Sequence, residues 1–173
     1  MPELTRIASN IRLFALDVDG VLTDGRIQYS SSGEELKSFN IKDGLGIKLL
    51  QRDGIEVAII TGRVSPMVSR RAAELGIDTI VQGREDKLSA LLELCKLRGI
   101  EPQACAYMGD DLPDLAAVKA AGVGFTPADG VAALQAAADV VTHLPGGNGA
   151  VREACELLLQ ARGSLDALLE TFA

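Results

Sequence analysis

The chain has 173 residues, a length that favours one compact domain with a sizeable apolar core. A net charge of −7 and an aromatic content of 3% argue against sequence-independent binding of nucleic acid. Three cysteines without metal-binding spacing argue against a disulfide framework, and no run approaches the about 18 apolar residues of a membrane span. We therefore expect a cytoplasmic protein without a membrane segment.

Short apolar runs alternate with segments of helical period along the chain. The apolar runs predict buried strands at Arg12–Leu16, Val57–Ile60, Thr79–Val81, Ala104–Met108, Val123–Phe125 and Val140–Val141. The other segments predict helices near Gly44–Arg52, Pro66–Leu75, Lys87–Arg98, Pro113–Ala121, Val131–Ala137, Ala150–Gln160 and Leu165–Phe172. This alternation indicates βαβ units, so we predict an α/β, Rossmann-like fold of three layers with a mainly parallel sheet.

One segment interrupts the alternation. Residues Arg26–Phe39 contain a strand-like start, a Ser/Gly turn cluster and a second alternating stretch, which together predict a β-hairpin. The chain has no long linker, internal repeat or low-complexity tract. We therefore predict a single domain over residues 1–173 with a small hairpin insertion near residues 26–39.

Polar side chains follow several of the predicted strands. Ligands bind beyond the carboxyl ends of the strands in open parallel sheets, so these residues are the first candidates for a site. Asp17 and Asp19 follow the first strand, Thr61 follows the second, and Lys87 begins the helix after the third. The fourth strand is followed by Asp110, Asp111 and Asp114.

Each of these residues also has a structural explanation when it is taken alone. Asp19 begins an ordinary turn dipeptide, Asp111 is a plausible helix N-cap, and Lys87 could be a solvated helix charge. Their predicted meeting at one edge of the sheet favours a functional explanation. Crowded carboxylates are tolerated only when a cation neutralises them, and an oxygen-rich site of this kind suits Mg²⁺. A carboxylate beside Mg²⁺, Lys and Thr can attack phosphorus and form an aspartyl-phosphate.

The same residues carry a resemblance to a known superfamily. The strings DVDGVLTDG from Asp17, TGR from Thr61 and GDDLPD from Gly109, together with Lys87, resemble the four motifs of the haloacid dehalogenase superfamily. Three longer strings resemble its capless subfamily of 3-deoxy-D-manno-octulosonate 8-phosphate phosphatases: GEELKSFNIKDGLGIK, EVAIITGR and GGNGAVREACELLL. The resemblance extends over nearly the whole chain, and it implies Mg²⁺-dependent hydrolysis of a phosphomonoester in the synthesis of lipopolysaccharide precursors.

The resemblance implies a role for each motif residue. Asp17 is expected to be the nucleophile, and Asp19 the general acid and then the general base. Thr61 and Lys87 are expected to hold the phosphoryl oxygens. Asp17, the backbone carbonyl of Asp19 and Asp110 are expected to bind Mg²⁺. Two further carboxylates are expected to orient Lys87 or metal-bound water, namely Asp111 and Asp114.

A second set of residues is implied for substrate binding. Its members are Asp19, Asn40, Ile41, Lys42, Asp43, Gly44, Lys48, Arg63, Arg71 and Lys87. Lys48 stands where the family carries arginine, and a lysine makes a point-charge contact in place of a bidentate one. For Arg71 a solvated position on a helix is the structural alternative.

The lengths of two segments bear on how the site is closed. Many superfamily members insert a cap domain, but the segments between Asp24 and Gly44 and between Arg63 and Lys87 are too short for one. We therefore expect no cap domain, and an open site needs another source of closure. The capless family uses a homotetramer whose hairpins assemble together. The expected partners are thus other copies of the chain and a small anionic sugar phosphate, with no nucleic acid and no membrane.

Three alternatives remain open. The first is a capless phosphatase for the phosphate of a nine-carbon keto-sugar acid. The second is a non-catalytic module that oligomerises through the hairpin, although such a module should lack Asp19 or Asp110. The third is a phosphorylation-switched receiver, which also uses Asp, Thr, Lys and Mg²⁺. Receivers carry the accepting aspartate after the third strand, whereas Asp17 follows the first.

Overall fold

A parallel sheet forms the centre of the computed structural model, which describes residues 6–173. The strands, in chain order, are β1 (Leu13–Leu16), β2 (Gln28–Tyr29), β3 (Glu35–Leu36), β4 (Glu56–Thr61), β5 (Thr79–Gln82), β6 (Cys105–Met108), β7 (Val123–Thr126) and β8 (Val140–Val141). The sheet has the order β5-β4-β1-β6-β7-β8, and every neighbouring pair is parallel. The carboxyl end of β1 therefore lies where the strand order reverses, the usual place of a ligand site.

Helices cover both faces of the sheet. They are α1 (Ile41–Arg52), α2 (Pro66–Leu75), α3 (Lys87–Arg98), α4 (Leu115–Ala120), α5 (Ala132–Ala137), α6 (Ala150–Arg162) and α7 (Leu165–Glu170). Side chains of β1 alternate between the layers, since Phe14 and Leu16 share an apolar cluster with α1, α2 and α6, and Leu13 and Ala15 share one with α3, α4 and α5. The predicted three-layer α/β fold is confirmed. Within residues 6–173, none of the helices has the length and apolar character needed to cross a bilayer.

The predicted elements are present, with differences at their ends. Helix α1 begins at Ile41 and not near Gly44, because the Asn40 side chain accepts a hydrogen bond from the Lys42 N–H (2.8 Å) and caps the helix earlier. The helix predicted at 113–121 is divided into a 3₁₀ turn at Leu112–Asp114 and α4. Local capping explains both differences, because the period of apolar residues does not predict where a helix is capped.

The predicted hairpin is formed by β2 and β3, which pair only with each other among the described residues. Gln28 lies opposite Leu36 and Tyr29 lies opposite Glu35 in an antiparallel register. The hairpin occupies the segment between β1 and α1, and the segment between β4 and α3 contains only α2 and β5. The two segments hold no cap domain, as expected.

Candidate active site

The polar residues predicted to meet do lie together at the carboxyl edge of the sheet. Asp17 follows β1, Thr61 ends β4, Lys87 begins α3, and Asp110 follows β6. They line a cavity of about 310 Å³. Its lining residues are Asp17, Asp19, Gly25, Thr61, Gly62, Arg63, Glu85, Lys87, Asp110, Asp111, Pro113 and Asp114.

Lys87 is the buried cation of this cavity. Its Nζ lies 2.8 Å from Asp17 Oδ1 and 3.0 Å from Asp114 Oδ1. The Tyr107 hydroxyl donates a hydrogen bond of 2.7 Å to the same Asp114 oxygen. Burial lowers the pKa of Lys87, but the two carboxylates raise it by more, so that the net shift is upward. Lys87 is therefore an ammonium group held in place beside Asp17.

Two carboxyl groups of the cavity resist ionisation. Burial and the neighbouring Asp114 raise the pKa of Asp17 to about 7, against the opposing effect of Lys87. Burial and the charges of Asp17, Asp114 and Asp111 raise the pKa of Asp110 to about 7 as well. The causes are the same in both cases, because burial disfavours the charged form of each carboxyl group and neighbouring carboxylates repel it. A bound cation would remove this repulsion.

The oxygen atoms fit a hard divalent cation. Asp17, Asp110 and Asp114 each offer an oxygen, and these oxygens lie within 4.8 Å of one another. Asp114 is already engaged, since Oδ1 contacts Lys87 and Tyr107, and Oδ2 accepts from the Asp110 N–H (3.3 Å). Asp110 Oδ1 is buried without a hydrogen-bond partner among the described residues. Asp17 and Asp110 are therefore the two side chains whose oxygens are available to Mg²⁺.

Close packing fixes the turn that carries Asp19. Gly20 has φ +94°, and a Cβ there would lie 2.0 Å from Asp110 Oδ2. A Cβ on Gly146 would lie 1.9 Å from the Gly20 carbonyl oxygen. Only glycine fits at either position. The glycine-rich loop at residues 146–149 before α6 therefore packs against the turn after β1, and this close packing explains why the loop is rich in glycine.

Asp19 lies at the open side of the cavity between two cations. Its Oδ1 contacts the Lys37 ammonium, and its Oδ2 is 3.8 Å from Arg63 Nε. Glu35 Oε1 binds the same two cations, at 3.2 Å from Lys37 and 3.0 Å from Arg63. Neither Lys37 nor Glu35 was predicted from the sequence as a site residue. A signal was present, because the two residues are two positions apart in an alternating segment, and such residues lie on the same face of a strand.

The two carboxylates expected to act through Lys87 differ in the structure. Asp114 contacts Lys87 and also accepts a backbone hydrogen bond from the segment after β6. Asp111 instead accepts a hydrogen bond from the Leu112 N–H (2.7 Å) and begins the 3₁₀ turn. It lines the cavity but makes no contact with Lys87 in this structure. Tyr107, which donates to Asp114, was not predicted from the sequence as a site residue. Its hydroxyl is the only one in the otherwise apolar strand β6.

The predicted substrate segment lies beside the cavity, outside its lining. Asn40 caps α1 and donates to the Gly147 carbonyl (3.4 Å). Ile41 and Lys42 are exposed, whereas Asp43 is buried. Asp43 Oδ1 accepts a hydrogen bond of 2.8 Å from the Arg152 N–H in the first turn of α6. Asp43 therefore joins α1 to α6 within this chain.

The remaining predicted contacts lie in other cavities. Gly44 packs against Arg71, which lines a cavity of about 210 Å³ together with Lys37. Lys48 lines a cavity of about 630 Å³ at the opposite, amino-terminal edge of the sheet. This cavity is larger than that of Asp17, but the carboxylate cluster and the buried lysine are not part of it. Substrate binding by these residues stays a prediction.

The family model of the haloacid dehalogenase-like hydrolases matches residues 41–122. This match includes Thr61, Lys87 and Asp110, and the aspartates after β1 precede it. The sheet topology and the edge at which the aspartates lie agree with this class of hydrolase.

Comparison with individual proteins narrows the class to a family. The chain is 49% identical to the 3-deoxy-D-manno-octulosonate 8-phosphate phosphatase KdsC of Salmonella typhimurium over 165 residues, which are 95% of this chain and 88% of that protein. It is 50% identical to the Escherichia coli K12 protein of the same name over 92% of this chain and 85% of that protein. The chain belongs to the family of 3-deoxy-D-manno-octulosonate 8-phosphate phosphatases.

A solved structure agrees with this family. The phosphatase of Moraxella catarrhalis, crystallised in complex with a magnesium ion, a phosphate ion and KDO, superposes with a TM-score of 0.98 at 54% identity. The match covers 100% of this chain and 99% of that one. The cobalt-bound phosphatase of Haemophilus influenzae matches with a TM-score of 0.89 at 43% identity over 93% and 94% of the two chains.

Proposed function

We propose that this protein hydrolyses 3-deoxy-D-manno-octulosonate 8-phosphate to 3-deoxy-D-manno-octulosonate and phosphate, with Mg²⁺ as its cofactor. The observation that carries the proposal is the buried Lys87 ammonium beside Asp17, in the same cavity as Asp110, whose Oδ1 has no hydrogen-bond partner within residues 6–173. This set suits a phosphoryl group better than a neutral ligand, because the transferring group bears negative charge. The family relationship supports the choice of the sugar acid.

The first half of the reaction forms a covalent bond to Asp17. An oxygen of its carboxylate attacks phosphorus, and the bond from phosphorus to the sugar oxygen breaks. Asp19 gives a proton to the departing sugar oxygen. Thr61 and Lys87 hold the other phosphoryl oxygens as negative charge spreads over them in the transition state. The products of this step are the sugar acid and an aspartyl-phosphate.

The second half regenerates the free enzyme. Asp19, now ionised, takes a proton from a water molecule, and the oxygen of that water attacks phosphorus. The bond between Asp17 and phosphorus breaks, which releases inorganic phosphate and restores the carboxylate. The proton that Asp19 donated in the first half is thereby replaced, so that the cycle closes without a further acid or base.

The side chains of Asp17 and Asp110 and the backbone carbonyl of Asp19 would hold Mg²⁺. When bound, the ion supplies charge neutralisation between the carboxylates and the phosphoryl oxygens. Asp114 positions Lys87 by its direct contact, and the Tyr107 hydroxyl holds Asp114. These two residues act on the orientation of the ammonium group and not on the reacting atoms.

Recognition of the sugar acid is proposed to involve the segment from Asn40 to Gly44 with Lys48, Arg63 and Arg71. Arg63 supports this role best, since it lines the cavity and its side chain is partly exposed. A guanidinium in this position suits the carboxylate of a keto-sugar acid.

Self-association into a homotetramer is part of the proposal. The hairpin exposes Ile27, Tyr29 and Leu36 by 53%, 66% and 51%, and within residues 6–173 the outer edges of its strands pair with no other strand. A two-stranded ribbon of this kind is marginally stable alone and gains from pairing with other ribbons. Assembly through the hairpins would also bring neighbouring subunits over the open site.

The reaction is proposed for the cytoplasm. Cys95, Cys105 and Cys155 are free thiols and buried. Two of them, Cys95 and Cys105, lie with their sulfur atoms 3.4 Å apart and unbonded. Reduced neighbouring thiols are typical of proteins that work in a reducing compartment.

A phosphate-release assay tests the proposed function. The purified protein is supplied with Mg²⁺ and either 3-deoxy-D-manno-octulosonate 8-phosphate or the 9-phosphate of a nine-carbon keto-sugar acid. We expect the higher kcat/KM for the eight-carbon substrate and loss of activity after chelation of the metal. A higher kcat/KM for the nine-carbon substrate would assign the protein to the alternative phosphatase. The absence of phosphate release from both would favour a non-catalytic module.

A further inference from the structure

Two charged groups of the hairpin segment, Lys37 and Glu35, contact residues that line the catalytic cavity, and neither has a role in the reaction as proposed so far. Lys37 lies just beyond β3, and its side chain is only 2% exposed although it carries an ammonium group. A buried cation of this kind is stable only when anions compensate it. Its partners are Asp19 and Glu35.

The contacts form a closed ring of four charges. Lys37 touches Asp19 Oδ1 and Glu35 Oε1, and Arg63 faces Asp19 Oδ2 and Glu35 Oε1. Two positive and two negative groups therefore alternate around the ring. The hydroxyl of Tyr29 is a further hydrogen-bond partner that, together with Glu35, raises the pKa of the Arg63 guanidinium. Three of these residues belong to the hairpin, and one of them, Lys37, contacts the carboxylate of Asp19.

The two oxygens of Asp19 are not equivalent in this ring. Oδ1 is in direct contact with Lys37, whereas Oδ2 is 3.8 Å from Arg63 Nε, beyond hydrogen-bond distance. An oxygen held by an ammonium group is a poor place for a proton. Oδ2 is therefore the atom that can carry the proton to the leaving oxygen and take one from water.

We propose that Lys37 is a positioning residue for Asp19, which binds Oδ1 so that Oδ2 alone carries the transferred proton. Glu35 assists by holding Lys37 and Arg63 at a fixed separation. The hairpin thus has a second role beside assembly, because it orients the acid–base group of its own subunit. This inference rests on the proposed function, in which Asp19 performs proton transfer.

A double-mutant cycle tests the inference. Lys37→Met removes the ammonium group at similar side-chain length and should lower kcat on the sugar phosphate by about 10–100-fold, within the range that acid–base assistance contributes, with little change in KM. Lys37→Arg should recover part of this loss. In an Asp19→Asn background the same Lys37→Met change should lower kcat by less than about threefold, because the group that Lys37 positions is gone.

Several outcomes would overturn the inference. Equal losses from Lys37→Met in both backgrounds would mean that Lys37 acts on the substrate or on the fold, and unchanged kcat in the single variant would mean that it has no role. Glu34→Gln is the matched control, since Glu34 is an exposed neighbour in the hairpin whose side chain accepts a hydrogen bond from the Ser32 hydroxyl. Light scattering and thermal unfolding verify that assembly and fold are retained.

A substitute variant and a control assay keep the result unambiguous. If Lys37→Met does not fold, the cycle is carried out with Glu35→Gln, which leaves Lys37 in place and should give a smaller loss with the same dependence on Asp19. A loss from Glu35→Gln that is independent of Asp19 would then contradict the inference. Activity of the unchanged protein in the same assay tests the proposed function separately, so the two can fail independently.

Discussion

At the scale of single residues, the carboxyl groups of Asp17 and Asp110 determine how the protein responds to pH and to metal. Burial and mutual repulsion raise both pKa values to about 7. A carboxyl group with a raised pKa binds more protons in the folded chain than in the unfolded one. Its contribution to stability is therefore complete below the unfolded pKa and is lost as the pH rises through about 7.

A thermal unfolding experiment tests this electrostatic account. The metal-free protein should lose stability between about pH 5 and about pH 8, and Mg²⁺ should raise Tm more at about pH 8, where protons no longer compete for the carboxylates. Asp110→Asn removes one of the repelling charges, so the metal-free variant should be more stable than the unchanged protein at the higher pH, by several degrees. The difference in Tm between the two metal-free proteins should be smaller at the lower pH. Equal Mg²⁺ effects on both proteins would contradict the assignment of Asp110.

At the scale of secondary-structure elements, the contact between α1 and α6 explains why a predicted substrate residue is buried. Helix α6 follows Gly149, which has no side chain with which to cap it. The Asp43 carboxylate of α1 accepts the Arg152 N–H instead, at the end of α6 where the helix dipole favours a negative charge. The glycine-rich loop that packs on Gly20 comes immediately before this first turn of α6. Asp43 thus stabilises the layer behind the catalytic turn.

We expect Asp43→Ala to lower the free energy of unfolding by about 0.5–2 kcal/mol, the usual cost of losing a helix cap. Asp43→Asn should cost less, because the amide oxygen can still accept the Arg152 N–H and a buried charge is removed. Urea unfolding of the three proteins measures the difference, with Lys42→Ala as the exposed control in the same turn. Equal stability of the Asp43→Ala variant and the unchanged protein would show that the carboxylate does not cap α6.

The apolar period and the turn residues were sufficient to predict the elements of the sheet and the edge at which Asp17, Thr61, Lys87 and Asp110 meet. Two kinds of contact could not be predicted from the apolar period and the turn residues. Caps formed by distant residues, such as Asp43 on α6, depend on which helices become neighbours in the fold. The contact of Lys37 with Asp19 depends on how the hairpin packs beside the turn after β1. The local alternation of residues does not predict this packing.

At the scale of the whole molecule, the proposed assembly would connect the hairpin to catalysis. The hairpin exposes Ile27 and Leu36, and its Glu35 contacts Lys37 and Arg63 beside the cavity. The chain has no cap domain between β1 and α1 or between β4 and α3 to exclude water. Closure by neighbouring subunits would therefore increase the strength of every charge interaction at Asp17.

Charges placed on the hairpin test the assembly. The combined change Ile27→Asp and Leu36→Asp should give species smaller than a tetramer and a lower specific activity, because like charges then meet where apolar side chains would pack. Leu97→Asp is the control, since Leu97 is also an exposed apolar residue, lies on α3 and is far from the hairpin in sequence. Light scattering at the assay concentration gives the mass. A fully active monomer of the unchanged protein would contradict closure by neighbouring subunits.

Detection of the phosphorylated enzyme tests most directly whether Asp17 attacks phosphorus. The protein is mixed with 3-deoxy-D-manno-octulosonate 8-phosphate and Mg²⁺, quenched in acid within one turnover, reduced with borohydride and digested for mass spectrometry. Borohydride converts an aspartyl-phosphate to homoserine, so we expect this modification at position 17 alone, and neither modification nor turnover in Asp17→Asn. Turnover by Asp17→Asn, or a modified carboxylate elsewhere in the chain, would contradict the account.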